Sequence, residues 1–387
     1  MATGGAPYQR HFGIPVRTAE DQVNRDQGAL PNQVFQPLPA PTGPAPYRMS
    51  LADVLPAATM DAITKAGKMV FHCVGDTGGI RDPQPQASVV EAMIADLAGA
   101  NPPHFFFHLG DVVYYNGQKV QYYPQFYEPY DHYTVAIVAI PGNHDGDALD
   151  PTAEPSLAGF MENFCATTPH MTPEAQDSQR DAMTQPNCYW TLLTPLLTVI
   201  GLYSNCPDGG VIKPDQAAWL EAELAAAPKG LPVVVALHHP IFSADSVHGG
   251  NSNLTVILDA AVKQSGRTPD AVFTGHVHNY QRFTRQQGGH QVPYIVAGAG
   301  GYHNLHRIAM SAGGGKPKLP WRLPAPYNDT QLVHYCDDRF GFMRVSVTAG
   351  AMQVDYLAVT PAAVAGQHPT VTTLETFTVD LGAHTVK

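Results

Sequence analysis

From position 68 onward, short and nearly continuous apolar runs alternate with segments of helical periodicity, which predicts an α/β fold. The runs are MVFHCV (69–74), FFFHL (105–109), VAIVAIP (135–141), VVVAL (233–237) and AVFT (271–274). Such runs suit strands buried on both faces. A second observation is that each run is followed at once by a polar block, usually opened by Gly. A third is that segments 341–347, 352–359 and 370–379 alternate apolar and polar residues like antiparallel strands.

Helices fit between the runs. Residues 87–97 place Val90, Met93, Ile94 and Leu97 on one stripe. Residues 214–226 open with Pro in the first turn and point Leu220 and Leu224 inward. Residues 254–263 form a third helix. Residues 1–67, rich in Pro, Gln and Ala, read as an N-terminal arm, and 68–387 as one catalytic domain. Within that domain, 301–339 reads as a Gly/Pro-rich loop insertion and 340–380 as closing strands.

Composition narrows the function. Charged residues are 14%, below the roughly 25% of an average soluble domain, and the net charge is −11. An acidic chain without a Lys/Arg run is not expected to bind nucleic acid or an anionic membrane. No stretch approaches 18 uninterrupted apolar residues, so no membrane span is expected. No signal peptide is visible, which favours the cytoplasm; a leader removed from the N-terminus would make the protein periplasmic or secreted. The five cysteines lack a CxxC pair, which argues against a zinc knuckle. The disulfide state of Cys165, Cys188 and Cys206 is left open, as are the oligomeric state and the natural substrate. The 18 histidines cluster, a metal or acid–base signal.

The polar blocks are GDTG (75–78), GDVVY (110–114), GNHD (142–145), His238-His239-Pro240 and GHVH (275–278). All five follow a strand, and ligands in open α/β sheets bind at the C-terminal strand ends. Seven donors result: Asp76, Asp111, Tyr114, Asn143, His238, His276 and His278. Seven exceed one tetrahedral ion, whereas two ions sharing a carboxylate accommodate them. Two ions about 3.5–4 Å apart suit phosphate-ester hydrolysis.

These blocks, in this order, resemble those of the calcineurin-like metallophosphoesterases, and among them the purple acid phosphatases. The resemblance covers about 68–300. It implies a β-sandwich of two mixed sheets flanked by helices, with the active site at the C-terminal strand ends. The wider superfamily usually opens with Asp-x-His; here Gly78 stands at the His position, and Tyr114 follows the second Asp by three residues. That exchange resembles the purple acid phosphatase pattern, in which tyrosinate replaces imidazole on a ferric ion. The resemblance then implies Fe(III) held by Asp76, Asp111, Tyr114 and His278. A second, divalent ion (Fe, Zn or Mn) is held by Asp111, Asn143, His238 and His276. It implies hydrolysis of phosphate monoesters at acidic pH by in-line attack of a metal-bound hydroxide. The substrate is a phosphorylated small molecule or a phosphoprotein.

His144 is the expected general acid and phosphate contact, with Asp145 able to orient it. His248 and Arg282 are candidate substrate contacts; a salt bridge is the alternative for Arg282. His239 reads as a packing neighbour, His108 as a buried strand histidine and Cys73 as core. A phosphodiesterase or nucleotidase of the same superfamily is the alternative enzyme. A catalytically weak, metal-binding interaction protein is the alternative of another class.

Overall fold

The computed structural model describes residues 37–150, 152–204, 210–310, 315–362 and 367–387. The strands in chain order are β1 (Arg48–Ser50), β2 (Lys68–Val74), β3 (Phe105–His108), β4 (Ala136–Ala139), β5 (Trp190–Leu193), β6 (Thr198–Gly201), β7 (Val233–Ala236) and β8 (Ala271–Thr274). There follow β9 (Tyr280–Gln287), β10 (His290–Ala297), β11 (Trp321–Arg322), β12 (Thr330–Cys336), β13 (Phe340–Thr348), β14 (Ala351–Thr360), β15 (Thr370–Asp380) and β16 (Thr385–Val386). The α-helices are α1 (Leu51–Val54), α2 (Ala57–Ala66), α3 (Gln84–Leu97), α4 (Asn143–Gly146), α5 (Ala158–Phe164), α6 (Pro214–Ala226) and α7 (Ser252–Ser265).

Two mixed sheets form. The first runs β1-β5-β6-β7-β8-β10-β9-β12-β11, the second β16-β15-β14-β13-β2-β3-β4. The five apolar runs are thus divided: three lie in the second sheet and two in the first. Strand alternation explains the layering. Met69, Phe71 and Cys73 of β2, with Phe105 and Phe107 of β3, share one core with Val234, Ala236, Ala271 and Phe273 of the first sheet. Phe71 and Phe105 stack at 4.9 Å. The other faces take the helices. Val74 and Phe106 cluster with Val89, Val90 and Met93 of α3. Val233 and Val235 cluster with Leu220 and Leu224 of α6 and with Leu254 and Leu258 of α7. The result is a β-sandwich with helices on both outer faces.

Two boundaries differ from the sequence expectation. Residues 48–66, placed in the arm, are part of the packed unit. Strand β1 pairs in parallel with β5, and Met49, Leu51, Leu55 and Ile63 join the central core. The apolar signal there is carried by few residues among Pro and Ala, too sparse to show periodicity. Residues 37–47 are also described, with the Thr42 and Gly43 N–H groups donating to the Pro186 carbonyl, whereas 1–36 lie outside the described residues. In the 301–339 segment, β12 pairs antiparallel with β9, so part of that segment extends the first sheet. Arg282 on β9 also departs from the expected substrate role. Its guanidinium is buried, bonded to Glu375 of β15 at 2.6 and 2.8 Å, and lies 4.5 Å from the Phe377 ring. The salt-bridge alternative describes it.

Cys73, Cys165, Cys188 and Cys336 are free and buried; Cys206 lies outside the described residues. No helix among the described residues is long and apolar enough to cross a membrane.

Ile63 is fully buried in the central core. Ile63→Ala is expected to lower unfolding free energy by about 2–5 kcal/mol in chemical denaturation, the usual cost of such a cavity. The same truncation at exposed Val256 should change it by less than about 0.5 kcal/mol. Equal, small effects would mean that the 48–66 segment is not packed on the core.

Candidate metal centre

Strands β2, β3 and β4 of the second sheet and β7 and β8 of the first deliver their polar blocks to one place. The turns that do so are unusual. Asp76, Asp111 and His276 all have left-handed backbones, with φ of 59°, 53° and 65°. For residues with a Cβ this conformation costs about 1–3 kcal/mol each, and it persists only where surroundings hold it. The surroundings do so here. The Asp76 N–H donates to the Gly110 carbonyl at 2.9 Å, and the Gly275 N–H to the His238 carbonyl at 2.9 Å. The His276 N–H donates to Asp76 Oδ2 at 2.8 Å, joining turns that are 200 residues apart.

The seven expected donors are all buried, and they fall into two groups. In the first group, Tyr114 Oη lies 3.4 Å from Asp76 Oδ1 and 3.4 Å from His278 Nε2, and those two atoms are 3.5 Å apart. A point equidistant from such a triangle lies about 2 Å from each atom, close to metal–ligand bond lengths for oxygen and nitrogen. Backbone contacts hold the group. His278 Nδ1 donates to the Asn304 carbonyl at 2.8 Å. Gln125, from a single π-helical turn over Tyr123–Tyr127, bonds both the N–H and the carbonyl of Tyr114.

Gly78 explains the sequence exchange at this group. A Cβ at that position would stand 2.7 Å from Tyr114 Cδ2 and 2.3 Å from Gln125 Oε1. The tyrosine ring occupies the space that a side chain at 78 would need.

The second group is Asp111, His238 and His276, whose ligand atoms lie within 4.8 Å of one another. Asn143 Oδ1 adds to it, 2.9 Å from His276 Nδ1. His238 Nδ1 donates to the Leu109 carbonyl at 2.8 Å, which aims Nε2 at the carboxylates, 3.3 Å from Asp111 Oδ2 and 4.0 Å from Asp76 Oδ1. That buried Nε2 has no aligned hydrogen-bond partner. His239 is not among the grouped donors: its Nδ1 lies 2.9 Å from Ser204 Oγ and its ring packs 4.4 Å from that of His276. His108 is likewise outside the cluster. It receives the Gly110 N–H on Nδ1 and meets Thr77 Oγ1 with Nε2, and burial pushes it down to about 3.

The electrostatics of the cluster favour positive charge beside the carboxylates. Burial disfavours ionised Asp111, yet His238, His144 and His276 hold it well below the usual carboxylate range. Burial likewise opposes charge on His238, yet Asp111 and Asp76 push it up to about 10. Burial and then the charges of Asp111 and Asp76 drive the Tyr114 phenol well above its ordinary value. The donor set, two carboxylates with a phenol, an amide and three imidazoles, suits hard to borderline cations.

Around this cluster, His144 lies with its ring 4.4 Å from that of Tyr114. Its N–H donates to Asp111 Oδ1 at 3.0 Å, and its Nδ1 donates to the Tyr115 carbonyl at 2.7 Å. Asp145 does not touch the His144 ring. It accepts from the backbone N–H groups of Val112, Val113 and Gly142, lacing the β3 and β4 turns together. Burial and the charge of Asp111 raise it to about 6. His248 comes to the cluster, its ring 4.6 Å from that of His276. Asp245 accepts from the His248 N–H at 2.8 Å.

Sequence reading missed the contribution of 302–306. Tyr302 stacks on Tyr114 at 3.9 Å. His306 packs 4.5 Å from His278 and 5.1 Å from His248, with Nδ1 3.2 Å from Asp245 Oδ2. The only signal was the density of Tyr and His directly after GAGG, within a segment read as an insertion.

A family model described as calcineurin-like phosphoesterase matches residues 69–280, just over half of the chain. A curated relative, purple acid phosphatase 22 of Arabidopsis thaliana, is 33% identical over 142 residues, which is 35% of this chain and 29% of the relative. The fold is similar to that of a purple acid phosphatase from yellow lupin (Lupinus luteus) seeds, with TM-score 0.52 and 15% identity, covering 81% of this chain and 54% of that one. It is also similar to GAP50, the anchor in the inner membrane complex of Plasmodium, with TM-score 0.50 and 13% identity, covering 80% and 89%. The matches thus span about half of the lupin protein and under a third of the Arabidopsis one. The ordered blocks, the paired sheets and the extent of the family match lead to one conclusion: the chain belongs to the calcineurin-like phosphoesterase family and resembles its purple acid phosphatases.

Proposed function

We propose that this chain hydrolyses phosphate monoesters on the acid side of neutrality, using two metal ions. The family implies a dimetal centre and a phosphorylated substrate. In this reading, Asp76, Asp111, Tyr114 and His278 hold Fe(III), and Asp111, Asn143, His238 and His276 hold divalent Fe, Zn or Mn. The observation that carries the reading is the division of seven buried donors into two groups with Asp111 in reach of both. Asp111 meets His238 and His276, and it also faces the Tyr114 phenol. Bound ions would neutralise the ester and activate water, which is the chemistry that such a pair supplies.

The chain's own residues do the remaining work. His144 keeps a proton on Nδ1, because a carbonyl oxygen can only accept. Nε2 is then the atom that holds or delivers a proton toward the leaving oxygen. The Asp111 contact to the His144 N–H fixes this ring to the same turn that bears the shared carboxylate. His248 lines the approach beside His276. An assay of a simple aryl phosphate against its bis-aryl diester, across pH 4–9, tests the class. Faster diester turnover would favour the phosphodiesterase alternative.

Asp111→Asn removes the carboxylate shared by both groups. At least one ion per chain should be lost in metal analysis after desalting, with activity reduced to near background. Retention of both ions with only a few-fold loss of rate would end the bridging role.

Tyr114→Phe should abolish the visible absorption of the iron-loaded, oxidised protein while leaving its far-ultraviolet circular dichroism unchanged. An iron-loaded wild type without such a band would rule out a tyrosinate–iron bond.

His144→Ala should slow alkyl phosphates by about 10²–10⁴-fold, the usual contribution of a general acid. Nitrophenyl phosphate should lose far less, since its leaving group needs no proton. Equal losses on both would make His144 a phosphate contact and not a proton donor.

A further inference from the structure

A second cluster of metal-competent side chains lies at the far end of the first sheet. Asp270 immediately precedes β8, whereas His276 follows it. At about 3.3 Å per strand residue, the four residues of β8 alone separate the two by about 13 Å. Asp270, His290 and His384 bring one ligand atom each to within 4.8 Å of one another. His290 is the first residue of β10, and His384 sits in the turn that leads into β16, with φ of 52°.

The three side chains are held from behind. The Asp270 N–H donates to the Val233 carbonyl at 2.7 Å, and its Oδ2 accepts the Val233 N–H at 2.9 Å. Its Oδ1 is left facing His384 Nδ1 at 3.4 Å. The His384 carbonyl accepts the Gln291 N–H at 2.9 Å, and Gln291 Oε1 accepts the Val386 N–H at 2.8 Å. The two imidazoles stack at 3.8 Å with planes 10° apart. Both Nδ1 atoms are shielded from solvent and make no aligned hydrogen bond. Arg267 Nη2, 3.9 Å from Asp270 Oδ2, lies on the carboxylate oxygen turned away from the imidazoles.

We propose that Asp270, His290 and His384 form a separate zinc-type site that ties the C-terminal hairpin of the second sheet to the first sheet. Two imidazoles and a carboxylate are a zinc donor set with room for a water as fourth ligand. Stacked rings present their lone pairs side by side. The three ligand atoms already lie within 4.8 Å of one another, with His384 Nδ1 3.4 Å from Asp270 Oδ1, so an ion seated beside that oxygen is in reach of both rings. Such an ion bridges elements that meet only in the folded chain, so its binding stabilises the native state.

The test uses the full chain with its dimetal centre already filled. Zinc is added, excess is removed by desalting, and bound metal is counted by plasma mass spectrometry. The wild type should retain one more zinc per chain than the double variant His290→Ala, His384→Ala. Its thermal midpoint should rise with added zinc while that of the variant does not, and hydrolysis should be the same in both. An equal zinc count in wild type and a folded variant would overturn the proposal. If the double variant fails to fold, His384→Gln alone, at a half-exposed turn, gives the same comparison. Because the readout is a difference between proteins that share one centre, it does not depend on the phosphatase reading.

Discussion

Two carboxylates, Asp76 and Asp111, are buried side by side at the junction of the sheets. Placing like charges together out of water is costly unless positive charge joins them. The local architecture answers that one constraint. Three turns adopt left-handed backbones to reach it, imidazoles from two strands of the opposite sheet close around it, and a phenol fills the remaining side. The carboxylates also organise the backbone, since Asp76 Oδ2 receives the His276 N–H and Asp111 Oδ1 receives that of His144. The centre is therefore built from both sheets, four donors from the second and three from the first, and exists only when they are stacked.

Much of this was legible in the residues. Runs buried on both faces announce themselves by continuous apolar character, so β2, β3, β4, β7 and β8 fall within a residue or two of their sequence positions. Helix α6 coincides with its expected bounds because Pro214 fixes its start. The seven donors were legible because each lies in a polar block directly after a strand, four of the five blocks opening with Gly, a pattern set by chain direction and not by distant packing.

The rest depended on tertiary contacts that leave little local trace. Strands β5 and β6 are four residues each and are joined by a Pro-containing turn, too short to show a period. Strand β9 carries Arg, Gln and Thr among its core residues, Pro293 interrupts the apolar run of β10, and Gly288-Gly289 marks the hairpin only in retrospect. Arg282 illustrates the limit for site residues. Its position beside the last block suggested the ligand side of the strand, but its partner Glu375 lies 93 residues away on β15. The roles of Tyr302 and His306 required knowing that a Gly-rich segment folds back over the strand ends.

The fit between Gly78 and Tyr114 carries a consequence for how such a centre can change. The space is a single compartment that holds one side chain, entering either from the first turn or from the second. A Cβ added at 78 with Tyr114 in place would stand 2.7 Å from the ring and 2.3 Å from Gln125 Oε1, so both side chains would have to shift. Removing the ring with glycine retained leaves a void beside Asp76. The two positions are therefore coupled through the space they share, and a change at one is expected to alter what the other can hold.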